Sequence, residues 1–130
     1  INTITIAPSI PDYKFVIRIH PAEVKSGLST NQSIMDSIFS HIDVLPANVI
    51  LVPAESDISS IDLGVMSEVS IIYASKIGIE LAVKGKLVVV AGEAICRNKN
   101  FTIELTGHTE PLVFPLLFYY LPQSLESSLW

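Results

Sequence analysis

An imidazole, a hydroxyl, several carboxylates and two flexible cations recur at equivalent places in this chain, each just after an apolar, β-branched run. His20-Pro-Ala-Glu23 follows Tyr13–Ile19, and Pro53-Ala-Glu-Ser-Asp57 follows Asn48–Val52. Ser75 to Glu80 follows Val69–Tyr73, and Gly92-Glu93, with Arg97 and Lys99, follows Leu87–Ala91. If the four runs are parallel strands, all four loops converge on one sheet edge, where open α/β sheets bind ligands. The combination suits a nucleotide. Its phosphate would sit on backbone N–H groups, Ser75 and a cation, and its ribose hydroxyls on a carboxylate.

Each residue also has a plainer explanation. A lone histidine that ends a strand beside a proline, as His20 does, is more often a loop residue than a ligand. Glu80 stands four residues from both Lys76 and Lys84, the spacing of a solvated helix stripe worth a few tenths of a kcal/mol per pair. Cys96 has no base nearby in sequence and reads as packing. His41 and His108 fit no metal-ligand spacing, so no metal site is expected. No Gly-rich P-loop, G-x-S-x-G elbow or GxGxxG fingerprint is present, and no cofactor is expected.

The elements that must position these loops follow from periodicity. Val69–Tyr73, Ala74–Val83 and Leu87–Ala91 predict a strand, a helix and a strand, a βαβ unit with a right-handed crossover. Gly85 is placed to end the helix in a left-handed conformation. Upstream, Tyr13–Ile19 predicts a strand stopped by His20-Pro21. Thr30 is placed to cap a helix running to about Ile42, with Ile34, Ile38, Phe39 and Ile42 on its buried face. Asn48–Val52 predicts a third strand, Ser60–Ser67 a short helix and Phe101–Leu105 a final strand. Asn2–Ile10 alternates like an edge strand but meets Pro8 and Pro11, so it reads equally as the end of a helix. The predicted class is α/β, a Rossmann-like parallel sheet with helices on both faces. Its domain would span residues 1–105, with 106–130 an apolar tail interrupted by Pro115.

Composition narrows the function. A chain of 130 residues forms one domain, and 49% hydrophobic against 16% charged content suits a sheet covered on both faces. A net charge of −5 without a Lys/Arg cluster argues against nucleic acid as a partner. A single cysteine excludes an internal disulfide and favours a reducing compartment. No run reaches the roughly 18 apolar residues of a membrane span. The expected location is the cytoplasm, with the inner face of the membrane, reached by peripheral association, as a variant. The chain begins at Ile1 and enters its first strand early, so a fragment of a longer protein is expected.

Taken together, Phe15-Val-Ile-Arg-Ile-His-Pro-Ala-Glu23, Asn48–Asp57, Tyr73-Ala-Ser-Lys-Ile-Gly-Ile-Glu-Leu-Ala-Val-Lys-Gly-Lys86, Val88–Gly92 and Arg97–Thr102 resemble one family. They are similar to the C-terminal half of capsular polysaccharide biosynthesis glycosyltransferases, GT-B enzymes of bacterial envelopes akin to the capsule Kdo-transferases. The resemblance covers roughly Tyr13 to Glu104, and Leu87, Cys96 and Asn100 stand where proline, tyrosine and glycine are usual. It implies a donor-binding domain facing a glycan-acceptor domain that precedes it. On that basis His20, Pro21 and Glu23 belong to the nucleotide-sugar site, with His20 donating to the donor phosphate. Ser75 and the N–H groups toward Gly78 would hold that phosphate, Glu80 the ribose or base, and Arg97 the leaving nucleotide. The catalytic base would lie in the preceding domain, so this chain alone is expected to be inactive. Two other functions share the same sheet: a nucleotide-sugar 2-epimerase-like isomerase, and a non-enzymatic module binding a nucleotide or a protein.

Overall fold

The computed structural model describes residues 2–21, 34–105 and 117–122, with Asn2 and 117–122 described as backbone. The chain runs through α1 (Asn2–Ile6), a 3-10 turn (Ala7–Ser9), β1 (Tyr13–Arg18), α2 (Ile34–Phe39) and β2 (Val49–Val52). It continues through α3 (Ser60–Met66), β3 (Val69–Ile72), α4 (Ile77–Val83), β4 (Leu87–Val90), β5 (Ile103–Glu104) and β6 (Leu117–Pro122). One sheet holds all six strands in the order β2-β1-β6-β3-β4-β5.

Five strands run parallel. Phe15 to Arg18 pair with Val49 to Val52, Val69 to Ile72 with Leu87 to Val90, and Val89–Val90 with Ile103–Glu104. The chain winds outward from β1 to β2, then returns across the sheet to β3 and winds outward the other way, which is the doubly wound pattern. Among the described residues, β6 departs from an all-parallel sheet. It lies antiparallel between β1 and β3, with Arg18 opposite Leu117, Tyr13 opposite Pro122, and Ile71 opposite Phe118. Part of the expected apolar tail is therefore a central strand. Two strand spacings, about 9.6 Å, separate β1 from β3 instead of one.

Alternation along β1 divides the core between the two faces. Phe15 and Ile17 pack with Ile4, Ala7, Ile38 and Val49 under α1 and α2. Val16 packs with Val52, Leu63, Ile72, Leu81, Val88 and Val90 under α3 and α4. The result is an α/β layer with helices on both faces of a small, mainly parallel sheet.

The helix ends follow from local chemistry. Ser59 caps α3, its Oγ accepting from the Asp62 N–H at 3.2 Å. Gly85 takes φ of 75° after α4. Its N–H bonds the Ala82 carbonyl while Lys86 N–H bonds that of Leu81, a Schellman closure.

The open choice at the start of the chain resolves to a helix, and one expectation changes. Residues 2–6 form a helix, because Ile4 and Ala7, three apart, bury together against Phe15 and Ile17. Phe39 is exposed, while Ile34, Ile38 and Ile42, spaced by four, form the face turned to the core. The Thr30 cap lies outside the described residues.

Candidate functional site

At the C-terminal edge of the sheet a crevice of about 490 Å³ lies where the chain reverses its winding. The segment after β1 supplies His20 and Pro21, the segment after β3 supplies Ala74, Ser75 and Lys76, and α4 supplies Ile77 and Glu80. Ser60 and Ile61, from the start of α3, form the remaining wall. Thus four of the residues expected at a nucleotide site, His20, Pro21, Ser75 and Glu80, share one crevice.

His20 is half-buried, and its pKa is lowered from the usual 6.5, first by burial and then by the positive charge of Arg18. The ring is therefore neutral at neutral pH, able to donate from one nitrogen and accept at the other. Ser75 Oγ accepts from the Ile77 N–H at 3.3 Å, which fixes the turn into α4 and leaves its hydroxyl hydrogen for a partner. Lys76 and Glu80 are exposed, and among the described residues no ion pair joins Glu80 to Lys76 or Lys84. The helix stripe suggested by their spacing is present without its ion pairs.

The other expected residues lie elsewhere. Gly78 is buried and faces the sheet: a Cβ there would lie 2.4 Å from Ile72 Cδ1 and 3.0 Å from Cys96 Sγ. Its bareness lets α4 press onto β3. Arg97 serves its own loop, donating to the Gly92 carbonyl at 2.8 Å and pairing with Glu93 at 3.3 Å and Glu104 at 3.9 Å. It lines neither crevice described here. Asn100 takes φ of 64° and Asn98 φ of 58°. Asparagine tolerates this left-handed region, so the loop keeps a turn that glycine would also allow. Cys96 is fully buried in the core, and its thiol pKa is raised chiefly by that burial. Glu23 lies outside the described residues.

A second crevice, of about 540 Å³, adjoins the first and shares Pro21 and Ser60 with it. Its wall is the loop after β2, Ala54 to Ser59, and Arg18 lines it from the end of β1. Arg18 is 2% exposed, and its guanidinium donates to the carbonyls of Pro53 and of Ser56, the latter at 2.9 Å. Sequence reading passed over Arg18 because it sits inside a strand. The available signal was a charge, Arg18, near the end of the otherwise apolar run Phe15–Ile19.

Among the described residues no group of His, Cys, Asp and Glu is placed to hold a metal ion, and no helix is long and apolar enough to cross a membrane. No family model, curated protein or solved structure matches the chain.

Proposed function

We propose that this chain is the nucleotide-sugar-binding, Rossmann-like half of a GT-B glycosyltransferase that builds a capsular or other surface polysaccharide. The observation that carries the reading is the meeting of His20, Pro21, Ser75, Lys76 and Glu80 around one crevice at the reversal point of the sheet. Ile61, Ile77, Ala74 and Pro21 give that crevice apolar surface for a base or the flat side of a ribose. The polar groups divide the remaining work. Neutral His20 and the Ser75 hydroxyl donate to phosphate oxygens, Lys76 supplies the mobile positive charge, and Glu80 accepts from ribose hydroxyls.

Helix α4 has only seven residues, so the reading rests on these side chains more than on a helix dipole. Arg97 is committed to Gly92, Glu93 and Glu104, so the cation for the departing phosphate is assigned to Lys76. Stabilising that negative charge as the glycosidic bond breaks is catalysis by positioned charge, and it lowers the barrier by several kcal/mol in comparable sites. The acceptor groove and the base belong, on this reading, to a preceding domain.

Calorimetric titration with CMP, UMP and UDP tests the proposal. One nucleotide is expected to bind, with His20→Ala and Glu80→Ala each weakening it about tenfold, the loss of one good hydrogen bond to a charged group. A folded sample that binds none of the three, or variants that bind like the wild type, would sink it.

A further inference from the structure

Arg18 does not line the nucleotide crevice, yet two parts of that crevice's wall are tied to it. His20 stands two residues beyond it, where β1 leaves the sheet. Ser60 and Ile61 follow the loop after β2, which Arg18 holds by two carbonyls. The residue is 2% exposed and lies on the same face of β1 as Val16, under α3 and α4. A charge buried there is costly unless its donors are met. Nη1 and Nη2 meet that need at Pro53 and Ser56.

From those carbonyls a run of short links leads to the wall. The Ser56 N–H closes a turn on the Pro53 carbonyl at 3.1 Å, and Ile58 N–H donates to Ser56 Oγ at 3.3 Å. Ser59 then opens α3, its carbonyl accepting from Leu63 N–H at 3.1 Å and its Oγ from Asp62 N–H at 3.2 Å. Ser60 and Ile61 are the next two residues. Hydrogen-bonded links of this kind leave little slack, so a displaced loop displaces the wall. The guanidinium also stays charged at every working pH, and after burial it is the second cause of the lowered His20 pKa. Lys76 and Glu80 are the other charged groups lining the crevice with His20, and Glu55 and Asp57 line the adjoining one with Arg18.

We infer that Arg18 is a positioning residue of the nucleotide crevice, setting where the first turn of α3 stands against His20 without touching the nucleotide itself. This inference rests on the nucleotide reading of that crevice and adds the residue that orders it. By its permanent charge Arg18 also keeps the imidazole neutral.

The test uses the whole chain in four forms: wild type, Arg18→Met, Arg18→Lys and Ser59→Ala. Without ligand, an NMR pH titration reads the His20 ring and the amides of 60 and 61. With CMP, UMP and UDP, calorimetry at about pH 8, where His20 is neutral in every form, reads affinity. Arg18→Met is expected to raise the His20 pKa, shift both amides and weaken the nucleotide that binds about three- to tenfold. Arg18→Lys keeps the charge and loses the fork, so the His20 pKa should hold while amides and affinity change. Ser59→Ala should weaken binding from the far end of the loop and leave His20 unchanged. Arg18 variants that are only less stable, with wild-type His20 pKa, amide shifts and affinity, overturn the inference. If neither Arg18 variant folds, Ser59→Ala decides it, and wild-type affinity there overturns it. A wild type that binds none of the three nucleotides removes the nucleotide reading, and the ligand-free signals of His20, 60 and 61 still decide whether Arg18 orders the crevice.

Discussion

Arg18, at the end of β1, donates through Nη2 to the Ser56 carbonyl at 2.9 Å, tying together segments 38 residues apart. With its second bond, to the Pro53 carbonyl, it fixes the loop that walls one crevice, and its charge acts on His20 in the other. Arg18→Met should therefore leave two carbonyls short of a donor and cost about 1–3 kcal/mol, read as a lower urea midpoint. Arg18→Lys keeps the charge but lacks the planar fork, so partial loss is expected. Wild-type stability in both variants would show that the loop is held by other means.

Asn48 acts similarly on the opposite side of the molecule. It is buried, and its Nδ2 lies 2.7 Å from the Ala7 carbonyl, 3.1 Å from that of Tyr13 and 3.2 Å from that of Ile10. Asn48→Asp should destabilise more than Asn48→Ala, because a carboxylate would face three carbonyl oxygens with no donor. Hydrogen exchange should quicken first between residues 2 and 13. Uniform quickening over the whole sheet would contradict a local clamp.

Gly78 and Glu80, two residues apart, should separate packing from binding. Gly78→Ala forces a methyl onto Ile72 and Cys96 and should cost about 1–3 kcal/mol by overpacking. Glu80→Gln, on the exposed side of α4, should change stability by less than about 0.5 kcal/mol while weakening nucleotide binding several-fold. The two effects can be read from one set of samples by thermal unfolding and calorimetry.

The His20 pKa, lowered in the fold, gives a signed pH dependence. The unfolded chain binds the extra proton first, so this contribution to stability is complete above the ordinary value of 6.5 and is lost as pH falls from there through the folded value. A phosphate beside His20 reverses the preference by favouring the imidazolium. Nucleotide affinity should therefore rise over the range in which stability falls, and His20→Gln should flatten both slopes between about pH 5 and pH 8. Comparison with that variant cancels the titration of the phosphate itself.

In β6, Tyr119→Pro should be far more damaging than a surface proline. The strand is paired on both sides, so its interior N–H groups all enter a ladder. A loss of about 3 kcal/mol or more is expected, seen as unfolding at lower denaturant.

The parallel strands and their helices were legible because Tyr13–Ile19, Asn48–Val52, Val69–Tyr73 and Leu87–Ala91 are compact β-branched runs with helix-length segments between them. The meeting of His20 with Ser75 and Glu80 followed from strand direction alone. Arg18 was not legible, because its partners Pro53 and Ser56 are 35 and 38 residues away and their carbonyls leave no mark in the sequence. Gly78 fits a phosphate-turn motif and a helix-packing site equally well as letters, and only Ile72 and Cys96 beside it reveal the packing role. The strand Leu117–Pro122 was hidden by the prolines around it. Pro122 is tolerated at the strand end, opposite Tyr13, where the ladder stops.

The position of β6 also sets a timetable. All the parallel strands have been synthesised by Glu104, yet the middle of the sheet is filled only by a strand ending at Pro122. At ~5–20 residues per second, the 18 residues from Leu105 to Pro122 take roughly 1–4 s to emerge. Until β6 is in place, the facing edges of β1 and β3 have unsatisfied ladders on either side of a gap one strand wide. A chain in synthesis is thus most exposed to capture by a foreign strand at the centre of its sheet, in the interval before β6 has been made.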